Sequence, residues 1–177
     1  MLVVGPSGAG KDTLLDLART AHKDNPDIVF ARRVITREPM GEDHDTLDEE
    51  AFIAARQNGA FLLTWGAHGL HYGIPASLRH DLQSGRTVVA NVSRSVIPEA
   101  ETLDANVTVL NVTAATDVLA RRIAARGRES VVEIELRLKR EQPILTTRAQ
   151  LINVQNNGAL GDAARLFMAA IASCFQA

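Results

Sequence analysis

Short apolar runs alternate with helical segments along most of the chain. The runs are rich in β-branched residues and have the length of buried strands. They occupy residues 1–4, 28–30, 87–92 and 107–112. Apolar residues at helical spacing occupy residues 11–22, 75–84, 115–126 and 160–175. Because strands that alternate with helices form parallel sheets, the pattern predicts an α/β fold with a parallel sheet flanked by helices.

The pattern changes in two places. Residues 38–50 are rich in charge and contain a proline and a glycine, so a loop is predicted there, ahead of a helix at 48–58. The apolar segments 61–65 and 70–73 then predict strands of a small antiparallel insert. Further along, residues 131–141 predict a highly charged helix beside an arginine cluster.

We interpret both changes as additions to one core. A length of 177 residues fits a single domain. That domain carries an insert at about 34–74 and a lid at about 120–142, because nothing between these segments and the core has the composition of a linker.

Composition narrows the function classes. A net charge of −2 argues against binding to a nucleic-acid backbone, which requires a basic surface. The single Cys174 lies in an apolar helical pattern, where it is typical of core packing, and its lack of a partner favours a reducing cytoplasm. Apolar runs are too short for a membrane span. Only four residues precede the first glycine-rich turn, so no signal-peptide pattern is expected, and whether the natural start lies upstream of Met1 stays open.

The stretch GPSGAGKDT at residues 5–13 has the pattern of a loop that binds nucleotide phosphates. Glycines permit tight turns in which consecutive N–H groups point at phosphate oxygens, and Lys11 can reach the β- and γ-phosphates of a nucleotide. The following helix presents its positive end. The motif lies between an apolar strand and an amphipathic helix, as its function requires. The residues predicted to bind ATP phosphates are Gly5, Pro6, Ser7, Gly8, Ala9, Gly10, Lys11, Asp12 and Thr13.

Asp12 stands where such loops usually carry a Ser or Thr hydroxyl that binds magnesium. A carboxylate is also a hard oxygen ligand, so we expect Asp12 to hold Mg²⁺ directly or through water. The alternative is a degenerate loop whose aspartate repels ATP. Thr13 keeps a hydroxyl nearby, and the other loop residues are intact, which favours a working loop.

A lid is predicted at ARRIAARGRES, residues 120–130. Arg122 and Arg126 lie four residues apart on one helix face, where guanidinium groups can stabilise charge on a transferring phosphoryl group. The alternative is a solvated face paired with nearby glutamates. Arg137 follows as a further candidate. The predicted catalytic residues are Lys11, Arg122, Arg126 and Arg137.

A second group of polar residues follows the second strand. Basic residues in ARRVITREP could bind a phosphate of the acceptor, and histidines accompany Tyr72 around the insert. The histidines lack the spacing of zinc ligands. Each of them taken alone is typical of a polar surface or turn.

These motifs together resemble the guanylate kinase family over nearly the full chain. The phosphate loop, TREP, GAFLLTWGAHGLHYGIP and ARGRES occur in that family's order. The resemblance implies a P-loop kinase core, an acceptor-binding insert and an arginine-bearing lid, with transfer of the γ-phosphoryl group of ATP in the presence of Mg²⁺.

The sequence departs from that family where guanine would be recognised. The family's base-binding acidic residue corresponds to Leu63, and its acidic D-x-D positions correspond to Asn91 and Ser93. An unpaired donor in a closed site costs about 1–3 kcal/mol, so guanine would be bound poorly. Of the phosphate-binding residues, Arg37 and Tyr72 remain, while a tyrosine near His44 and a second arginine after TREP are missing.

An acceptor with phosphate but no base fits these departures. The combination of GPSGAGKD with HGLHYGIP is similar to the branch of the family that phosphorylates ribose 1,5-bisphosphate to 5-phosphoribosyl 1-diphosphate during phosphonate breakdown. That resemblance implies a small sugar phosphate as substrate, and no nucleic-acid or membrane partner is expected. The oligomeric state stays open. The predicted acceptor residues are Arg33, Arg37, His44, His68, Tyr72 and Asn91.

Two alternatives remain at the level of sequence. The first is a nucleoside-monophosphate kinase with altered base preference. The second is a noncatalytic binding module of the same fold, although such modules usually lose the phosphate loop or lid arginines that this chain keeps.

Overall fold

A computed structural model describes residues 1–38, 44–125 and 144–174. Its strands are β1 (Leu2–Val4), β2 (Ile28–Phe30), β3 (Arg33–Ile35), β4 (His44–Thr46), β5 (Phe61–Ala67), β6 (Leu70–Pro75), β7 (Thr87–Asn91), β8 (Thr108–Thr113) and β9 (Gln150–Gln155). The described α-helices are α1 (Lys11–Ala21), α2 (Glu49–Gln57), α3 (Arg79–Gln83), α4 (Ile97–Ala100), α5 (Thr116–Ala124) and α6 (Leu160–Ser173). Two 3₁₀ turns, Ala76–Leu78 and Arg94–Val96, precede α3 and α4.

Five parallel strands form the core sheet, in the order β2-β7-β1-β8-β9. Alternate residues of its central strands enter two apolar clusters on opposite faces. On one face Val3 and Leu110 pack with Leu14 of α1 and Phe167 of α6. On the other, Val4 and neighbouring strand residues pack with the insert and α4. The predicted α/β fold with a parallel sheet between helices is confirmed.

The insert is a second sheet of four strands, in the order β4-β3-β6-β5. The pair β5–β6 is antiparallel as predicted. Strand β3, which was not predicted, pairs antiparallel with β6 and parallel with β4. The prediction of a loop over 38–50 is therefore wrong at His44–Thr46. This strand has few apolar residues and depends on tertiary contacts, since His44 is buried and Asp45 pairs with Arg32 at 3.0 Å.

The sequence patterns also missed β9. Its residues QLINVQ alternate between polar and apolar, and only Val154 is fully buried, because β9 lies at an edge and pairs with β8 alone. Strand β9 carries the chain to Asn156, beside the phosphate loop.

Cys174 follows α6 and packs, partly buried, against the first apolar cluster, as predicted. Among the described residues, no helix combines the length and the apolar character that a membrane crossing would require.

Candidate active site

The phosphate loop connects the end of β1 to the first residue of α1. Two of its glycines have no space for a side chain. A Cβ on Gly5 would lie 2.0 Å from the carbonyl oxygen of Val112, and one on Gly10 would lie 2.5 Å from Nδ2 of Asn156. Both also have positive φ angles, of 147° and 88°. The loop is therefore seated tightly against β8 and the residue that follows β9.

Lys11 folds back over this loop. Its Nζ donates hydrogen bonds to the carbonyl oxygens of Gly5 and Pro6, at 2.7 and 2.9 Å. The ammonium group is thus held above the backbone turn, where a phosphate bound to the loop N–H groups would meet it. The predicted contact of Lys11 with nucleotide phosphates stays a prediction.

Asp12 lies in the first turn of α1 with an exposed side chain. Its Oδ1 accepts a hydrogen bond of 2.8 Å from Nδ2 of Asn91, the last residue of β7. Asn91 was predicted to bind the acceptor, but in the structure its amide contacts the phosphate loop. Ser93, two residues further on, uses its hydroxyl to cap the following 3₁₀ turn by accepting from the N–H of Ser95.

These residues fit a magnesium site of the type that nucleotide kinases use. Mg²⁺ is commonly held by one or two carboxylates together with substrate phosphates and water, not by a full protein cage. Asp12 supplies one accessible carboxylate at the mouth of the loop, and Thr13 is exposed beside it. The described residues contain no group of three or more His, Cys, Asp or Glu side chains that could hold a metal ion.

Helix α5 brings one lid arginine to the loop. Nη1 of Arg122 lies 3.5 Å from the carbonyl oxygen of Gly8, to which it donates, and Ile123 packs so closely that a Cβ on Gly8 would lie 3.0 Å from its Cγ1. The neighbouring Arg121 points elsewhere and pairs with Asp117 at 2.9 Å. Arg126 and Arg137 lie outside the described residues.

The insert presents an aromatic pair. Trp65 and Tyr72 are directly opposite each other on β5 and β6, and their rings stack at 5.3 Å with an interplanar angle of 6°. Leu63, two residues before Trp65, is 3% exposed and packs in the second apolar cluster opposite Ile74. The position that the resemblance aligns with the family's base-binding acidic residue is thus occupied by a core side chain.

The predicted basic residues of the insert lie on β3 and just after it. Arg33 begins β3 and is paired in register with His44 of β4. Arg37 follows β3, and its carbonyl oxygen accepts a 3.0 Å hydrogen bond from Oγ1 of Thr46. Both arginine side chains are half-buried.

The two predicted histidines differ in environment. His44 is 2% exposed, and no described residue bonds its Nε2. His68 is exposed in the two-residue turn between β5 and β6, with φ of 54°, followed by Gly69 at 72°. Two consecutive positive φ angles are typical of a type I′ hairpin. The structure therefore does not bring His44 and His68 together.

Sequence reasoning missed Asn156. It is 3% exposed, and its Nδ2 donates to the carbonyl oxygen of Ala9 at 2.8 Å, which supports the phosphate loop from β9. A second polar network, in which Arg94 donates to Asn111 at 3.4 Å and Asn111 donates to Asn153 at 2.8 Å, joins the middle of β8 to the middle of β9. Isolated asparagines carry no pattern that could have identified either set.

Glu101, after α4, was also missed. Its carboxylate accepts hydrogen bonds from the hydroxyl of Thr146, the N–H groups of Ala149, Arg148 and Thr147, and the Thr147 hydroxyl. These bonds, that of Thr146 first, hold the pKa of Glu101 well below its usual range, although burial opposes the shift. Glu101 thus fixes the backbone immediately before β9.

Comparison with known proteins agrees with this arrangement. The chain is 45% identical to ribose 1,5-bisphosphate phosphokinase PhnN of Brucella melitensis over 168 residues, which cover 94% of this chain and 88% of that protein. It is 55% identical to the protein of the same name from Rhodopseudomonas palustris over 131 residues, 73% of this chain and 68% of that one. No family model matches the chain.

Among solved structures, guanylate kinase from Anaplasma phagocytophilum has a similar fold. The TM-score is 0.63 at 19% identity, over 98% of this chain and 84% of that one. At this identity the likeness concerns the fold alone. The identities to the curated relatives, over nearly the whole length, establish the family: the chain belongs to the ribose 1,5-bisphosphate phosphokinases.

Proposed function

We propose that the protein transfers the γ-phosphoryl group of ATP to ribose 1,5-bisphosphate, giving 5-phosphoribosyl 1-diphosphate and ADP. An oxygen of the acceptor's 1-phosphate attacks the γ-phosphorus, and the bond from that phosphorus to the β,γ-bridging oxygen breaks. Two observations carry the proposal: the phosphate loop is seated tightly against the core, and Leu63, the position that the resemblance aligns with the family's base-binding residue, is buried. Family membership supports the choice of acceptor.

This reaction requires no general base. The second pKa of a phosphate monoester is about 6, so the attacking oxygen is already ionised near neutral pH. Catalysis then consists of positioning two anionic partners and stabilising the charge between them. This fits a candidate site made of cations, backbone N–H groups and amides.

On the donor side, the N–H groups of the loop bind the nucleotide phosphates. Lys11, which lies beside the carbonyl oxygens of Gly5 and Pro6, would bind phosphate oxygens, and Asp12 and Thr13 would hold a magnesium ion. When bound, Mg²⁺ neutralises charge on the β- and γ-phosphates. Asn156 keeps the loop in place through Ala9.

Arg122 approaches the phosphate loop from helix α5. Its guanidinium group lies 3.5 Å from the carbonyl oxygen of Gly8, close to where a phosphate would bind the loop. An arginine in this position stabilises charge that develops in the transition state. We assign the same role to Arg126 and Arg137, from the sequence alone.

On the acceptor side, we assign the phosphates of the sugar to Arg33, Arg37 and Tyr72. Tyr72 stacks on Trp65, which fixes the plane of its ring. His68 is exposed and could contact the acceptor from the hairpin. His44 is buried, so we assign it to the support of β3 instead.

A direct test measures ADP release with Mg-ATP and four acceptors side by side: ribose 1,5-bisphosphate, GMP, AMP and UMP. We expect rapid turnover with the sugar bisphosphate only, and ³¹P NMR of the product should show a new diphosphate. Turnover with a nucleotide but not with the sugar would contradict the proposal. An inactive Lys11→Ala sample serves as the blank.

A further inference from the structure

The pair formed by Asp12 and Asn91 reverses a common arrangement. In P-loop nucleotide enzymes, the neutral hydroxyl of a Ser or Thr on the loop and the carboxylate of an Asp at a strand end hold the magnesium ion together. Here the carboxylate is on the loop and the neutral amide is at the end of β7, 2.8 Å away. Residues 87–98, which contain β7 and the turn after it, include no acidic residue.

We propose that the loop and the strand have exchanged roles at the metal site. Asp12 supplies the single protein carboxylate, and Asn91 is a positioning residue that orients it and does not bind the acceptor. This inference rests on the proposed function only in that a magnesium nucleotide is the donor.

The geometry fixes the direction of the hydrogen bond. An ionised carboxylate can only accept, so the amide nitrogen of Asn91 must face Asp12. The bond uses Oδ1 of Asp12, so Oδ2 can serve as the ligand of the metal. Asn91 itself is held in the sheet, in register with Val3 of β1, which makes it a rigid partner for a side chain that is otherwise exposed.

Charge explains why the two exchanges go together. A carboxylate at both positions would place two negative charges within hydrogen-bond distance, beside the phosphates of the nucleotide. A neutral residue at both positions would leave the metal without a charged protein ligand. One carboxylate in either position gives the same net charge, so the two arrangements should be interchangeable as a pair.

The test uses four proteins: wild type, Asp12→Ser, Asn91→Asp and the double variant. Calorimetry measures the affinity for ADP in excess Mg²⁺ and in EDTA, and the ratio of the two dissociation constants gives the metal coupling. We expect Asp12→Ser to lower the coupling about tenfold, because a charged ligand is lost. Asn91→Asp should weaken ADP binding in EDTA through repulsion. The double variant should recover the wild-type coupling to within about threefold.

A second measurement keeps the proposal testable if the double variant does not fold. Asn91→Ala removes the orienting amide and should lower the coupling about tenfold while leaving ADP affinity in EDTA unchanged, as loss of a residue that orients a metal ligand does. Ser93→Ala is the matched control, since its hydroxyl only caps a turn, and should change neither quantity.

Three results would overturn the exchange: wild-type ADP binding that does not respond to Mg²⁺, a double variant that couples no better than Asp12→Ser, or an Asn91→Ala variant that couples like wild type. No acceptor is present in these measurements. They therefore stand or fall independently of whether ribose 1,5-bisphosphate is the substrate, which only the product assay decides.

Discussion

The two halves of the candidate site are built in different ways. The donor half is a glycine loop fixed by backbone atoms of β8, by Asn156 and by α5, and a methyl group added at Gly5 or Gly10 would collide with its surroundings. The proposed acceptor half is a small sheet that presents side chains, among them the stacked rings of Trp65 and Tyr72. A backbone site can serve every member of a fold, whereas a side-chain site can change its ligand by substitution.

The largest expected effect is on the donor half. Lys11→Ala should lower turnover by about a thousandfold, because it removes a cation from the transferring phosphoryl group. The melting temperature should stay near that of wild type, since the side chain is only half-buried. Lys23→Ala, on an exposed lysine that merely approaches Asp24 at 4.0 Å, is the matched control. Near-normal turnover of the folded Lys11→Ala protein would remove the loop from the mechanism.

Arg122→Ala should have the next largest effect, a loss of about a hundredfold in kcat. The KM for ATP should change much less, because the arginine acts on transition-state charge. Arg121→Ala tests the adjacent residue, whose side chain is exposed and paired with Asp117. If both variants lose activity equally and slightly, Arg122 belongs to a solvated face and not to the site.

Leu63→Glu tests the acceptor half. A carboxylate buried without a partner should lower the free energy of unfolding by about 3 kcal/mol and reduce turnover of the sugar, without creating a good guanylate kinase. Thermal unfolding and assays with both acceptors measure this. The matched control is Leu166→Glu, on a leucine that is 54% exposed, which should change neither the free energy of unfolding nor the turnover of the sugar. Efficient GMP phosphorylation by Leu63→Glu would mean that this residue alone had set the acceptor.

The smallest expected effect concerns the support of the donor half at β9. The hydrogen bonds of Thr146 and its neighbours lower the pKa of Glu101 from its ordinary value of 4.5, so this carboxylate stabilises the fold above that pH and the contribution is lost as pH falls below it. Glu101→Gln should melt at a lower temperature than wild type at pH 7. The difference should shrink below about pH 4.5. Glu99→Gln changes an exposed neighbour and should melt at the wild-type temperature at every pH. If the difference in melting temperature between Glu101→Gln and wild type did not depend on pH, the proposed role of the Glu101 carboxylate would be wrong.

The sequence predicted those parts of the site that local patterns encode. The phosphate loop is contiguous, and its glycines are required by backbone geometry, so spacing alone identified it. The four strands of the core sheet that are apolar were found for the same reason. Leu63 was identified as a departure through the resemblance to guanylate kinases, whereas its burial is a finding of the structure.

The sequence patterns did not predict features that depend on tertiary pairing. Strand β4 is held by β3 and by an ion pair, and β9 is an edge strand with polar alternation, so neither forms an apolar run. Asn156 and Glu101 act on residues 147 and 45 or more positions away. Asn91 was predicted correctly to lie at the end of a core strand. Its hydrogen bond to Asp12 could not be predicted, because the two residues are far apart in the sequence.

The acceptor preference tests the central claim most directly. We propose measuring kcat/KM of the wild-type protein for ribose 1,5-bisphosphate and for GMP under the same saturating Mg-ATP. A site that lacks hydrogen-bond partners for the base should favour the sugar bisphosphate by at least about a hundredfold. Comparable values for the two acceptors would contradict the account of the acceptor half, and a preference for GMP would reverse it.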